Sequence, residues 1–183
     1  MEKFFTEWER IEFLILKASK KTKPNQRSNA IPLLSEAIGR IADLPDANSR
    51  VHLLMAVATT YQDLNLKDLS LEILEQALNA VESCESESMR AGHLSNIGYQ
   101  YVKLDRPIKG FELLGTALNI AANLEDVDER DLIFCEIASN YGYLGRIDTA
   151  LQIARRVQDE YRITFRVLKP LQIDPEAFFS ADN

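Results

Sequence analysis

Shifted against itself by 40 residues, the 183-residue chain lays whole columns of like side chains on one another. Arg50, Arg90 and Arg130 fall together, as do Leu54, Leu94 and Phe134, then Val57, Ile97 and Ile137. Ala58, Gly98 and Ala138 follow, with Tyr61, Tyr101 and Tyr141, and Leu64, Leu104 and Leu144. A second set joins Leu71 to Phe111 and Leu151, and Ile73 to Leu113 and Ile153. A rival echo, "SNIGY" at 95–99 and "SNYGY" at 139–143, is 44 residues apart, but little around it agrees: Leu94 meets Ala138, and Leu104 meets Asp148. The stride is therefore read as 40 and the echo as an accident. A fixed period of this length marks a repeat architecture, in which each unit buries its apolar face on its neighbours.

Within a unit the apolar columns keep helical spacing. Leu94, Ile97, Gly98 and Tyr101 occupy one stripe at i, i+3, i+4 and i+7. After Leu104 the chain breaks at "DRP", where Asp105 is expected to cap and Pro107 to sit in a first helical turn. A second stripe runs through Phe111, Leu114, Ala117, Leu118 and Ala121. The next unit repeats this with Phe134, Ile137, Ala138 and Tyr141, then "LGRID", then Ala150, Leu151 and Ala154. Each unit thus reads as a helical hairpin. A more worn copy precedes these, with Arg10, Leu14, Ala18, Ile31, Leu34, Ala37, Ile38 and Ile41 on the columns and a Thr6–Glu9 capping box in front. Its Tyr column has become Lys21 and its Leu column Pro24, as befits a terminal unit with one neighbour. Beyond Ala150 the sequence predicts a shortened second helix, a capping helix stopped near Pro170, and a last turn at "DPEAFF" with Asp174 as cap and Pro175 behind it.

Leu94, Ile97, Gly98, Tyr101, Gly110, Leu114 and Ala117 together resemble the tetratricopeptide repeat (TPR) signature. Phe134, Ile137, Ala138, Tyr141, Gly145 and Ala150 match its first part; Leu54, Val57, Ala58, Tyr61, Leu74 and Ala77 match with Ser70 at a middle Ala position. TPR units are about 34 residues long, so each unit here is longer, and HEAT-like or other paired-helix solenoids stay open. The resemblance implies an all-α fold: a right-handed α-solenoid of about four antiparallel helix hairpins plus a C-terminal capping helix. It would make 1–183 a single repeat domain, with units near 6–45, 46–85, 86–125 and 126–160 and a cap over 160–183. The small Ala58, Gly98 and Ala138 would let hairpin arms approach, and the Tyr column would fill space near the turn.

The resemblance also implies a non-enzymatic scaffold whose first helices line a concave groove for a peptide or partner helix of another protein. In this sequence the groove candidates are His52, Thr59, Gln62, Asn96, Tyr99, Lys103, Glu136, Ser139 and Tyr143. Tyr is an economical interface anchor, and Asn can bond an extended backbone, so Asn96, Tyr99 and Tyr143 stand out. Against each stands the plainer reading of a solvated surface position. TPR domains that hold chaperone C-termini use a Lys, Asn and Arg clamp; the matching columns here carry Met55, Thr59, Ser95, Tyr99 and Glu136, so that ligand is not expected.

Charge narrows the partners. The formal net charge of −7 disfavours a whole-surface nucleic-acid binder. The segment 17–27, "KASKKTKPNQR", carries +5 and leaves −12 on the rest, which makes an adaptor for nucleic acid or an anionic membrane the alternative; a solvated helix end is the simpler account. A small acidic secretion-type chaperone is a further alternative. The Arg column could be a cation ladder for an acidic partner, but local pairing explains it more simply. No nucleotide-binding, zinc-protease or nucleophile-elbow motif is present, and His52 and His93 lie far from any ligand-spaced cluster, so no enzyme, metal or cofactor is expected. The opening "MEKFFTEWERIEFLILKASKK" interleaves acids with apolar residues and makes a poor signal peptide. Two cysteines, Cys84 and Cys135, without CxxC suggest reduced thiols and a cytoplasmic setting. Phe4, Phe5, Phe178 and Phe179 near the two ends suggest docking onto the solenoid or between subunits.

Overall fold

The computed structural model describes residues 6–21 and 24–180. Among them the chain is all-helical: α1 (Glu7–Ser19), a 3₁₀ segment (Pro24–Asn29), α2 (Ile31–Ala42), α3 (Ala47–Asp63), α4 (Lys67–Val81), α5 (Glu87–Lys103), α6 (Pro107–Ala122), α7 (Val127–Tyr143), α8 (Ile147–Ala154), α9 (Glu160–Ile163) running into a π-helical turn (Thr164–Leu168), and α10 (Pro175–Ser180). The helices pair as hairpins α1/α2, α3/α4, α5/α6 and α7/α8. The chain forms two compact units, residues 1–84 and 85–183. In the first, Ile11, Leu34, Ile41, Val51, Val57 and Leu74 make the interior. In the second, Leu114, Phe134, Ile137, Ile153 and Val167 share one core with the cap.

Each first helix is started by a side chain one stride from the last. Thr6 closes the capping box with Glu9; Asp46, Ser86 and Asp126 accept from the backbone N–H groups of Ser49, Met89 and Glu129. An N-cap satisfies donors that the helix itself leaves orphaned. Each hairpin turn is made by backbone. Asn65, Asp105 and Gly145, again 40 apart, take left-handed φ values of 59°, 62° and 77°. The N–H of the residue after each donates to the carbonyl of Tyr61, Tyr101 or Tyr141, which is a Schellman motif. Asp105 therefore does not cap the following helix: it closes the preceding one, and Arg106 at the start of α6 makes no side-chain cap. Pro107 does open α6. The cap ends the same way, with Gln172 at φ 58° and Ile173 N–H on Leu168.

In two hairpins the small columns meet at a crossing point. In α5/α6 a Cβ on Gly98 would lie 2.7 Å from the Gly110 carbonyl oxygen, so the two backbones touch. In α3/α4 the equivalent pair is Ala58 and Ser70, and the buried Ser70 hydroxyl donates 2.8 Å to the Ala58 carbonyl. The Arg column reaches backward. Arg50 donates to the carbonyls of Leu44 (2.7 Å) and Pro45 (3.1 Å), Arg130 to that of Leu124 (3.4 Å), and Arg90 pairs with Glu87. Arg50 and Arg130 thus serve the chain just past α2 and α6, where unpaired carbonyls favour positive charge.

At the C-terminus, buried Asp131 accepts from the N–H groups of Gln158 (2.8 Å) and Asp159 (3.1 Å), and Arg162 pairs with Asp128 at 2.7 Å. Asp174 accepts from Glu176 N–H ahead of α10. Phe178 is buried and Phe179 half-buried against this core, so of the two expected alternatives these residues dock onto the helical repeat itself. Phe4 and Phe5 lie outside the described residues, as does Lys23 of the basic segment; Lys17 and Lys20 are exposed at the end of α1.

Candidate functional site

In the C-terminal unit α5 and α7 lie side by side, and their facing polar side chains form a closed set. Asn140 is buried and donates to Ser95 Oγ (2.9 Å) and Asn96 Oδ1 (3.3 Å); Asn96 donates to Glu136 Oε1 (2.6 Å). Asn96 thus contacts residues 40 and 44 ahead of it, one helical turn apart. The 44-residue echo consequently has a physical use. Structural equivalence runs at 40, but side-chain contact between α5 and α7 also runs one turn further on, and the second echoed pair, Tyr99 and Tyr143, meets edge to face at 6.5 Å.

Above this layer Tyr143 stands 57% exposed, Tyr99 is half-buried, and Lys103 Nζ sits 5.4 Å from the Tyr99 ring. Below and beside it a cavity of about 430 Å³ is lined by Asn96, Cys135, Glu136, Ser139, Asn140, Tyr143 and Arg166. Ser139 is engaged, its hydroxyl donating to the Arg166 carbonyl at 2.7 Å. Burial pushes the Glu136 carboxyl up, while the Asn96 hydrogen bond and the Arg166 charge pull it down. With its folded-state pKa raised, Glu136 contributes stability that is present below the ordinary carboxylate range and lost as pH rises through the folded value. Glu136→Gln should therefore gain stability over wild type near pH 7, the gain shrinking toward about pH 4; urea midpoints of both proteins at the two pH values check this. Burial also pushes the Cys135 thiol up to about 11. At about pH 8 only about a thousandth is thiolate, so iodoacetamide should label Cys135 after unfolding and not before, as read by peptide mapping.

The candidates in the N-terminal unit sit differently. The exposed His52 ring stacks on Trp8 at 5.6 Å and 24°. Thr59 Oγ1 donates to the Met55 carbonyl of its own helix at 2.9 Å. Both line a trough of about 720 Å³ between α1 and α3, together with Glu9, Glu12, Phe13, Ile15, Leu16, Leu53, Ala56 and Thr60. Gln62 is half-buried on α3 and does not line it. Trp8, Phe13, Leu16, Asn140 and Arg166 escaped sequence reasoning. Signals existed for α1, where "WERIEFLIL" holds more apolar residues than one helical stripe uses, and for Asn140, which the 44-residue echo pairs with Asn96.

Among the described residues no group of three or more His, Cys, Asp or Glu side chains could hold a metal, and no helix is long and apolar enough to cross a membrane. No family model matches the chain, and no curated protein does. Solved structures do. The nearly identical TPR-like repeats of a candidate kinesin light chain from Podosopora anserina align at TM-score 0.53 and 19% identity, over 83% of this chain and 74% of that one. A singly substituted form of the same repeats aligns at TM-score 0.54 and 18% identity, over 84% and 75%. At such identity the likeness defines the fold: this chain is an all-α, TPR-like helical-repeat protein of the α-solenoid class.

Proposed function

We propose that the chain is a non-enzymatic protein-interaction scaffold that holds a peptide or partner helix of another protein against the first helices of its hairpins. The observation that carries this reading is the Tyr143–Tyr99–Lys103 array on α5 and α7, with Tyr143 and Lys103 exposed and Tyr99 half-buried, next to polar side chains bonded to one another. A large aromatic that the core does not use, set on rigid helices, is a ready anchor for a partner. In this reading Tyr99, Lys103 and Tyr143 touch the ligand, while Asn96, Glu136 and Ser139, whose polar groups are engaged within the fold, hold the surface in shape. His52, Thr59 and Gln62 serve the corresponding face of α3. No cofactor takes part, and neither nucleic acid nor membrane is the partner. The chain works in the cytoplasm, with Cys84 and Cys135 as buried thiols.

The test compares capture of proteins from a native lysate by wild type and by Tyr99→Ala/Tyr143→Ala, followed by reconstitution with the purified partner. Binding should weaken about 10–100-fold with the far-UV spectrum unchanged. Equal capture by both proteins would overturn the reading.

A further inference from the structure

The trough between α1 and α3 has a chemistry of its own, and its floor is apolar. Ile15 and Leu53 are buried in it, and Phe13 and Leu16 rise from α1 still 59% and 53% exposed. The two threonines of α3 add to that character. Thr59 and Thr60 donate their hydroxyls to the Met55 and Ala56 carbonyls, each at 2.9 Å, so both donors are spent on the helix's own backbone. The charged lining residues are both acids, Glu9 and Glu12. Thr6 N–H donates to Glu9 at 2.7 Å and keeps that carboxylate ionised. Phe13 and Leu16, three residues apart, share one face of α1 beside a volume of about 720 Å³, and the size falls within the ~300–1,000 Å³ of ligand-binding clefts.

We infer that this trough receives an amphipathic helix of a partner protein, its leucine-sized side chains seated on Phe13, Leu16 and Leu53 and a lysine or arginine set against Glu9 and Glu12. The inference rests on the scaffold reading and adds the partner's chemistry. Apolar anchors at i, i+3, i+4 and i+7 along a groove between two helices are a recurrent recognition mode, and the acidic rim selects the sign of the flanking charge. Phosphate-bearing partners are repelled by the same acidic rim.

The probe is a fluorescein-labelled leucine–lysine amphipathic peptide of about 18 residues, long enough to hold helix, with a leucine–glutamate peptide of the same pattern as control. Binding is read by anisotropy at about 0.15 M salt and by the emission of Trp8, the chain's single tryptophan, which stacks on the trough residue His52. The leucine–lysine peptide should bind and the leucine–glutamate peptide should not. Leu16→Ser should weaken binding about tenfold and Glu12→Lys about fivefold. Glu125→Lys, with the same change in net charge in the other unit, should leave it within about twofold. Equal weakening by Glu12→Lys and Glu125→Lys, equal binding of both peptides, or no binding would overturn the inference. Tight binding only after removal of residues 1–5 would do so too, by making the chain's own start the occupant. The same peptide is titrated against Tyr99→Ala/Tyr143→Ala. Loss there would place it on α5 and α7, so that the trough fails and the scaffold reading stands; capture of a partner insensitive to Tyr143 would sink the scaffold reading itself.

Discussion

Asp131→Ala is expected to loosen the C-terminal cap by about 2–3 kcal/mol. Asp131 is 1% exposed, and its Oδ2 accepts from two backbone N–H groups, those of Gln158 and Asp159, at the point where the cap begins. Alanine removes both bonds at once, and hydrogen bonds to a charged group are the strong kind. Part of the loss is offset, because the buried Oδ1 has no partner among the described residues and its desolvation ends with the carboxylate. The effect should be local. Amide exchange across residues 158–180 should quicken about 30- to 150-fold, while the amides of α5 and α6 keep their rates. Uniform protection in the variant would show that other contacts, such as Arg162 with Asp128, suffice to seat the cap.

Gly110→Ala and Gly115→Ala should move stability in opposite directions, although they make the same change on one helix. Alanine is favoured over glycine in a helix by about 1 kcal/mol. At Gly115 nothing lies within 4 Å of the new Cβ, so that gain is realised. At Gly110 the Cβ would meet the side chain of Val102 and lie 2.6 Å from the Gly98 carbonyl oxygen and 2.9 Å from the Val102 nitrogen. Backbone atoms of a packed helix cannot swing aside, so α5 and α6 must separate, at a cost of about 1–3 kcal/mol or more. We expect a net loss of about 2 kcal/mol, and a separation of about 3 kcal/mol between the two variants in urea unfolding. Two variants of equal stability would mean that the hairpin opens freely at its crossing point.

The stride, the hairpins and the small-residue crossing are legible in the sequence because they rest on spacing. Tyr61, Tyr101 and Tyr141 recur in like surroundings, each giving its carbonyl to the turn that follows. The local chemistry of the helix ends is only half legible. The Thr6 box is visible, yet Asp46, Ser86 and Asp126 do not announce themselves as caps one stride apart, and Asp105 reads as the start of α6 when it closes α5. A left-handed residue at a C-terminus and an N-cap favour the same short polar side chains, so sequence alone cannot separate them. The site is less legible still. Asn96 reads as a ligand-binding amide in sequence, but its two polar ends are held by Glu136 and Asn140. Asn140 is marked only by the 44-residue echo, and Arg166 carries no signal of its own.

What the sequence settled by itself is periodic: which residues are helical, which face each helix buries, and where two backbones must touch, since all three follow from size and spacing along one stretch of chain. Which polar groups remain available to another molecule was decided in three dimensions. A side chain's hydrogen bonds are claimed or left open by a neighbouring helix 40 to 45 residues away, one turn up or down, and that offset is fixed only when the helices pack.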